Sequence, residues 1–167
     1  KESASTYIIN QDLSIKECMQ VKKALQLEIS KLTEELKDLS EEAINYFNAN
    51  NLDRDSFIKR PSIYDYLTSN ITNSDDNKWL PTSTLHKNIS NHNWYPKSKE
   101  KTLAPLVDPC ANEIISFYES SLLIVKDYTS KKAVLKNIYS ISIISELVSE
   151  IKKYKKDQNI EQISAFN

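Results

Sequence analysis

The chain has 167 residues, 40% of them hydrophobic and 27% charged, with a net charge of −1. That length can bury about 70% of its unfolded surface, and the balance of residues lies well away from disorder. A near-neutral chain lacks the basic excess that phosphate backbones call for, so no nucleic-acid partner is expected.

Glycine is absent altogether. This removes Gly-rich phosphate loops, nucleophile elbows and dinucleotide fingerprints, because each needs a positive φ or a close backbone approach. Asn and Asp are expected wherever the backbone turns left-handed. The two cysteines, Cys18 and Cys110, lie far apart and form no CxxC pair, so no structural zinc site is expected. They read as two buried thiols of an intracellular protein or, in the alternative, as one disulfide of a secreted one. No apolar run approaches the ~20 residues that span a bilayer. The chain starts at Lys1 without Met, which reads as processing or as a cut fragment.

Residues 1–13 form a polar lead whose Tyr7-Ile8-Ile9 group is expected to dock on the helices. A long first helix, about 14–49, follows. Ile15, Cys18, Lys22, Leu25, Ile29, Leu32, Leu36, Leu39, Ala43 and Tyr46 recur at alternating steps of three and four, a narrow seam at period 3.5. Ser14 and Glu17 have capping-box spacing at its start, and Asn48, Asn50 and Asn51 supply left-handed capping residues at its end. Asp53 is expected to cap a short turn ending before Pro61, and Ser62 to cap a helix over 63–69.

From 70 to 108 the periodicity disappears. This segment holds Trp79, Trp94, His86, His92 and most of the prolines, and it predicts a long irregular wrap pinned by Trp79, Leu80, Trp94, Tyr95, Leu103, Leu106 and Val107. Asp108-Pro109 then starts a helix over about 109–127, whose apolar face is Ala111, Ile114, Ile115, Tyr118, Leu122 and Val125. Ser130 starts another, about 130–156, burying Val134, Leu135, Ile138, Ile141, Ile144, Leu147, Val148 and Ile151. One helix of nearly 50 residues is the alternative. A strand-like alternation from Ile141 covers only about four residues, so the helix is retained.

The parts predict an all-α helical bundle and a single domain over 1–167. The acidic block 34–42 and the basic block 152–156 would attract if the first and last helices ran parallel, although exposed pairs contribute only about 0 to 1 kcal/mol each.

Chemistry-bearing residues are sparse. His86 and His92 match no metal-ligand spacing. Cys110 beside Asp108 lacks a nucleophile signature, and the carboxylate pairs 34–35 and 41–42 sit on a solvated face. The lysine run 152–156 suits a helix C-terminus. Asn70-Ile71-Thr72 and Asn88-Ile89-Ser90 fit the N-glycosylation pattern, which matters only for a secreted chain. No catalytic residue, metal or cofactor is expected.

The function these features predict is a non-enzymatic protein–protein interaction module, a coiled-coil-bearing scaffold subunit or a fragment of a larger assembly. It would bind another protein, or a second copy through the long helix. The expected contact residues are Leu25, Ile29, Leu32, Leu36 and Leu39 on the seam, with Trp79 and Trp94 as aromatic anchors. The alternative is a secreted or surface-displayed helical protein of a parasite or pathogen, closed by a Cys18–Cys110 disulfide and binding a host protein.

Overall fold

The computed structural model describes residues 15–72 and 79–157. Helices account for 85% of these, and no strand occurs among them. The order is α1 (Ile15–Ala49), a 3₁₀ turn (Arg54–Ser56), α2 (Ile63–Thr72), α3 (Ser83–Ser90), a 3₁₀ turn (Lys97–Lys99), α4 (Glu100–Val107), a 3₁₀ turn (Asp108–Cys110) and α5 (Ala111–Asp157). The lead segment 1–13 and the Ser14 cap lie outside the described residues.

Two compact units divide the chain, one made of 1–28 with 130–167, the other of 29–129. The second unit holds the main core: Phe47, Leu52, Phe57, Leu67, Val107 and Ile114 are all buried. Tyr46 and Phe47 of α1 meet Phe117 of α5, at 5.7 and 6.2 Å between ring centroids. Farther back on α1, Leu36 joins Val125 and Tyr128 in a smaller cluster. Low numbers on α1 thus pair with high numbers on α5, and the two helices run antiparallel there. In the first unit the order is the same, with Glu28 beside Lys131 at 3.6 Å and Lys22 donating to the Tyr139 hydroxyl at 2.5 Å. The parallel arrangement expected from the charge blocks is not adopted: apolar packing sets the direction, and a few exposed charges are too weak to oppose it.

The end of α1 explains how a chain without glycine turns sharply. Asn51 adopts φ 58°, with Leu52 N–H donating to Phe47 O at 2.8 Å and Asn51 N–H to Asn48 O at 3.1 Å. This is a Schellman closure with its hydrophobic contact between Leu52 and Phe47. The same closure ends α3, where Asn93 N–H bonds Asn88 O at 2.8 Å and His92 N–H bonds Ile89 O at 3.1 Å. There the left-handed residue is His92, at φ 54°, and Arg60 takes φ 38° as well. Left-handed positions are therefore not confined to Asn and Asp.

Asp53 caps the first 3₁₀ turn in a reciprocal box with Ser56, and Ser62 caps α2 through Asp65 N–H at 3.0 Å. The Ser56 hydroxyl is the main reason the Asp53 carboxyl titrates below its ordinary value. Arg54 forms a two-point pair with Asp65 and reaches the Ile58 carbonyl, tying the turn to α2.

Two predicted features change. The wrap at 70–108 contains α3 and α4, each only two turns long and each held by a single i, i+4 pair: Leu85 with Ile89, and Leu103 with Val107. In α3 two apolar residues in eight give no readable period, and in α4 the internal Pro105 argued against a helix. The break expected near 129 is absent, and α5 is one helix of 47 residues. Thr129 bonds the carbonyls of Val125 and Lys126, at 2.9 and 3.0 Å, so its hydroxyl is satisfied inside the helix rather than at a cap. Asp108 does not cap α5 either; it accepts the Tyr95 hydroxyl at 3.0 Å.

A few polar groups are buried with this core. Ser40 donates to Leu36 O at 2.7 Å and accepts from Asn70 Nδ2 at 3.4 Å. Tyr66 approaches Ser121 at 3.4 Å. Burial pushes the hydroxyls of Tyr66, Tyr118 and Tyr128 above the ordinary phenol range, and burial first also raises Tyr46 and Tyr95. Below about pH 10 these phenols are neutral in both the folded and unfolded states. Above it the unfolded chain loses protons that the native chain keeps, so stability falls as pH rises. Melting temperature should hold between about pH 8 and 9 and drop steeply beyond 10. Tyrosinate absorbance that titrates at the ordinary value while the helical circular dichroism stays intact would contradict this.

Candidate interaction surface

In α5 beyond residue 130, apolar residues fall on more than one face. Leu135 and Val148 are half-buried and Ile138 is buried; the side chain of Ile141 lies outside the described residues. Ile143, Ile144, Leu147, Ile151 and Tyr154 are between 50% and 62% exposed. At about 100° per residue these five occupy a stripe roughly 100° wide, centred some 160° around the helix from Leu135 and Ile138. Val134 is exposed as well. The expectation that Val134, Ile144, Leu147 and Ile151 enter the core is corrected. A helix packed against one neighbour can bury one stripe, and at Lys131 and Tyr139 that neighbour is the 22–28 part of α1.

On the 15–28 part of α1, Cys18 is buried while Met19, Val21 and Leu27 are exposed. Two helices cannot enclose apolar residues on all their faces; bundles of four solve this by surrounding one core. Scattered exposed apolar side chains are ordinary on protein surfaces, whereas a contiguous stripe marks a docking surface. The Lys22 ammonium is 4.8 Å from the Tyr139 ring centroid but 2.5 Å from its oxygen. It therefore sits near the ring edge, as a hydrogen-bond donor more than a cation over the π face.

The residues expected to contact a partner lie elsewhere. Leu36 is buried, and Leu25, Ile29, Leu32 and Leu39 are half-buried. Ile29 and Leu32 pack on the Leu36–Trp79–Val125–Tyr128 cluster, and Leu39 on the main core. Trp79 and Trp94 are 5% and 4% exposed. Trp79 sets an edge against Tyr128 at 4.8 Å, and Trp94 stacks on His92 at 5.6 Å. Of the other residues expected to pin the wrap, Leu103 and Val107 are buried and Tyr95 half-buried, while Leu80 and Leu106 are exposed. From 29 to 46 the seam is spent inside the chain's own core. The missed stripe had a signal: nine Val, Leu and Ile residues from Val134 to Ile151 are too many for one face.

The remaining candidates are occupied structurally. Cys18 and Cys110 are both free and buried, which corrects the disulfide. The Cys110 thiol donates to Leu106 O at 3.7 Å and meets Tyr46. His86 pairs with the Tyr118 hydroxyl at 3.1 Å. With His92, Glu119 and Ile115 it lines a cleft of about 260 Å³ between α3 and α5. Among the described residues no three His, Cys, Asp or Glu side chains are placed to hold a metal ion. No described helix is long and apolar enough to cross a membrane. Asn70, the first glycosylation match, is buried, and Asn88 donates to Pro61 O at 3.3 Å.

What fold and surface define is an all-α helical protein whose longest helix carries an apolar stripe that is exposed among the described residues. Compared with protein-family models, curated proteins and solved structures, the chain matches none.

Proposed function

We propose that the chain is a non-enzymatic protein–protein interaction module, a subunit or fragment of a larger assembly, and that it docks its partner through the α5 stripe. The observation that carries this is the exposure of Ile143, Ile144, Leu147, Ile151 and Tyr154 along one face. Covering a Leu or Ile side chain completely stabilises by about 1.5–3 kcal/mol, so burying the exposed half of these side chains favours association. The seam residues Ile29, Leu32, Leu36 and Leu39, with Trp79 and Trp94, pack within the core of the second unit instead.

The test is a double substitution, Leu147→Glu with Ile151→Glu. Both side chains already face water, so the folding stability should change by only about 0.5 kcal/mol. A protein retained by the unmodified chain as bait and lost by the double variant is the expected result. The same protein retained by both baits, or nothing retained by either, counts against the proposal. So does a variant that unfolds as a core mutant would.

A further inference from the structure

We propose that the occupant of the α5 stripe is a second copy of this chain, paired parallel through residues 144–154. This rests on the reading of the stripe as a docking surface and names its partner. Ile144, Leu147, Ile151 and Tyr154 follow one another at steps of three, four and three. That spacing assigns Ile144 and Ile151 to heptad position a, and Leu147 and Tyr154 to position d. β-Branched residues at a with Leu at d favour two parallel strands.

The flanking charges select the same arrangement. Glu150 falls at g and Lys155 at the following e, the two positions that meet between parallel helices. A symmetric pair therefore gains Glu150–Lys155 contacts in both directions. The antiparallel alternative that sets Ile144 against Tyr154 and Leu147 against Ile151 places each Glu150 beside its own copy, a like-charge contact. Ile143 at g and Val148 at e flank the seam with further apolar surface. Upstream, the equivalent positions are Asn137 and Ser140, so the seam is two heptads long. Isolated helices of that length are marginal, but here the seam lies within the continuous 47-residue helix α5, so no helix must nucleate on pairing.

The experiment is sedimentation velocity on the full chain over a wide concentration range, with three single variants. The unmodified protein should pass from monomer to dimer as concentration rises, and Leu147→Glu should stay monomeric with an unchanged melting temperature. Glu150→Lys and Lys155→Glu each place like charges across both flanks and should weaken the dimer about tenfold. Mixing those two variants restores both opposite-charge pairs, so the mixture should dimerise as the unmodified chain does. A protein that is monomeric throughout overturns the inference, as does a dimer indifferent to Leu147→Glu. If Lys155→Glu dimerises normally, the parallel register is wrong. A monomer that still loses a captured protein on Leu147→Glu ends this inference and leaves the broader docking function standing.

Discussion

Replacing Phe47 by alanine is expected to destabilise the protein by about 3–5 kcal/mol, a large share of the 5–15 kcal/mol typical of a whole domain. Phe47 is fully buried at the end of α1 and lies within ring-stacking distance of Phe57, Tyr64 and Phe117, at 5.2, 6.4 and 6.2 Å. It is also the residue whose carbonyl accepts from Leu52 in the closure of α1. Truncation removes aromatic contacts to three segments and the apolar half of that closure together. Chemical denaturation followed by circular dichroism measures the loss, and Leu123→Ala is the control. Leu123 is exposed, so its truncation should cost no more than about 0.5 kcal/mol. A Phe47→Ala loss below about 1 kcal/mol would mean that the core does not depend on this ring as described.

Trp94→Ala should be comparably damaging, and this separates a core residue from an interface anchor. Trp94 lies within the main core, its carbonyl accepts from Ile58 N–H at 2.8 Å, and the void beside it amounts to about 10 Å³. That is at the lower limit for one water, so the indole fills its site and its removal opens a cavity costing about 3–5 kcal/mol. Trp79→Ala should fall toward the lower end of that range, because the Trp79 cluster is smaller. Denaturant midpoints of the two variants give the comparison. A Trp94→Ala protein as stable as its parent, yet unable to hold a partner, would return Trp94 to the role of anchor that its residue type suggests.

Much of the fold was legible because it depends on local patterns. The heptad spacing from Leu25 to Tyr46 announced α1, and the asparagines after Phe47 announced its closure, since a left-handed residue was needed and no glycine was present. Ser62 and Asp53 carried their capping roles in residue type and spacing alone. The two short helices did not announce themselves. In α3 and α4 one i, i+4 pair suffices only because the main core receives it, and that core is assembled from distant segments. The mid-helix Thr129-Ser130 was misread because a hydroxyl can cap a helix or bond back within one, and neighbouring residues do not decide which.

The candidate site divides in the same way. Apolar residue type told that Leu36, Trp79 and Ile151 would each be covered by something. It could not tell whether the cover is this chain or another, since burial depends on which elements come together. In the second unit the antiparallel packing of α1 on α5 spends the α1 seam from Ile29 to Tyr46 inside the fold, while in the first unit Ile144, Leu147 and Ile151 are exposed.

By itself, then, the sequence determined the helical class, the long first helix, its C-terminal closure and the absence of glycine-dependent motifs, because these follow from spacing and backbone conformation within a few residues. Only the tertiary structure decided the antiparallel direction, the unbroken α5 and the face left uncovered. Each is a choice among neighbours far apart in the chain, and the helix period is the same for a stripe that meets its own core and one that meets water.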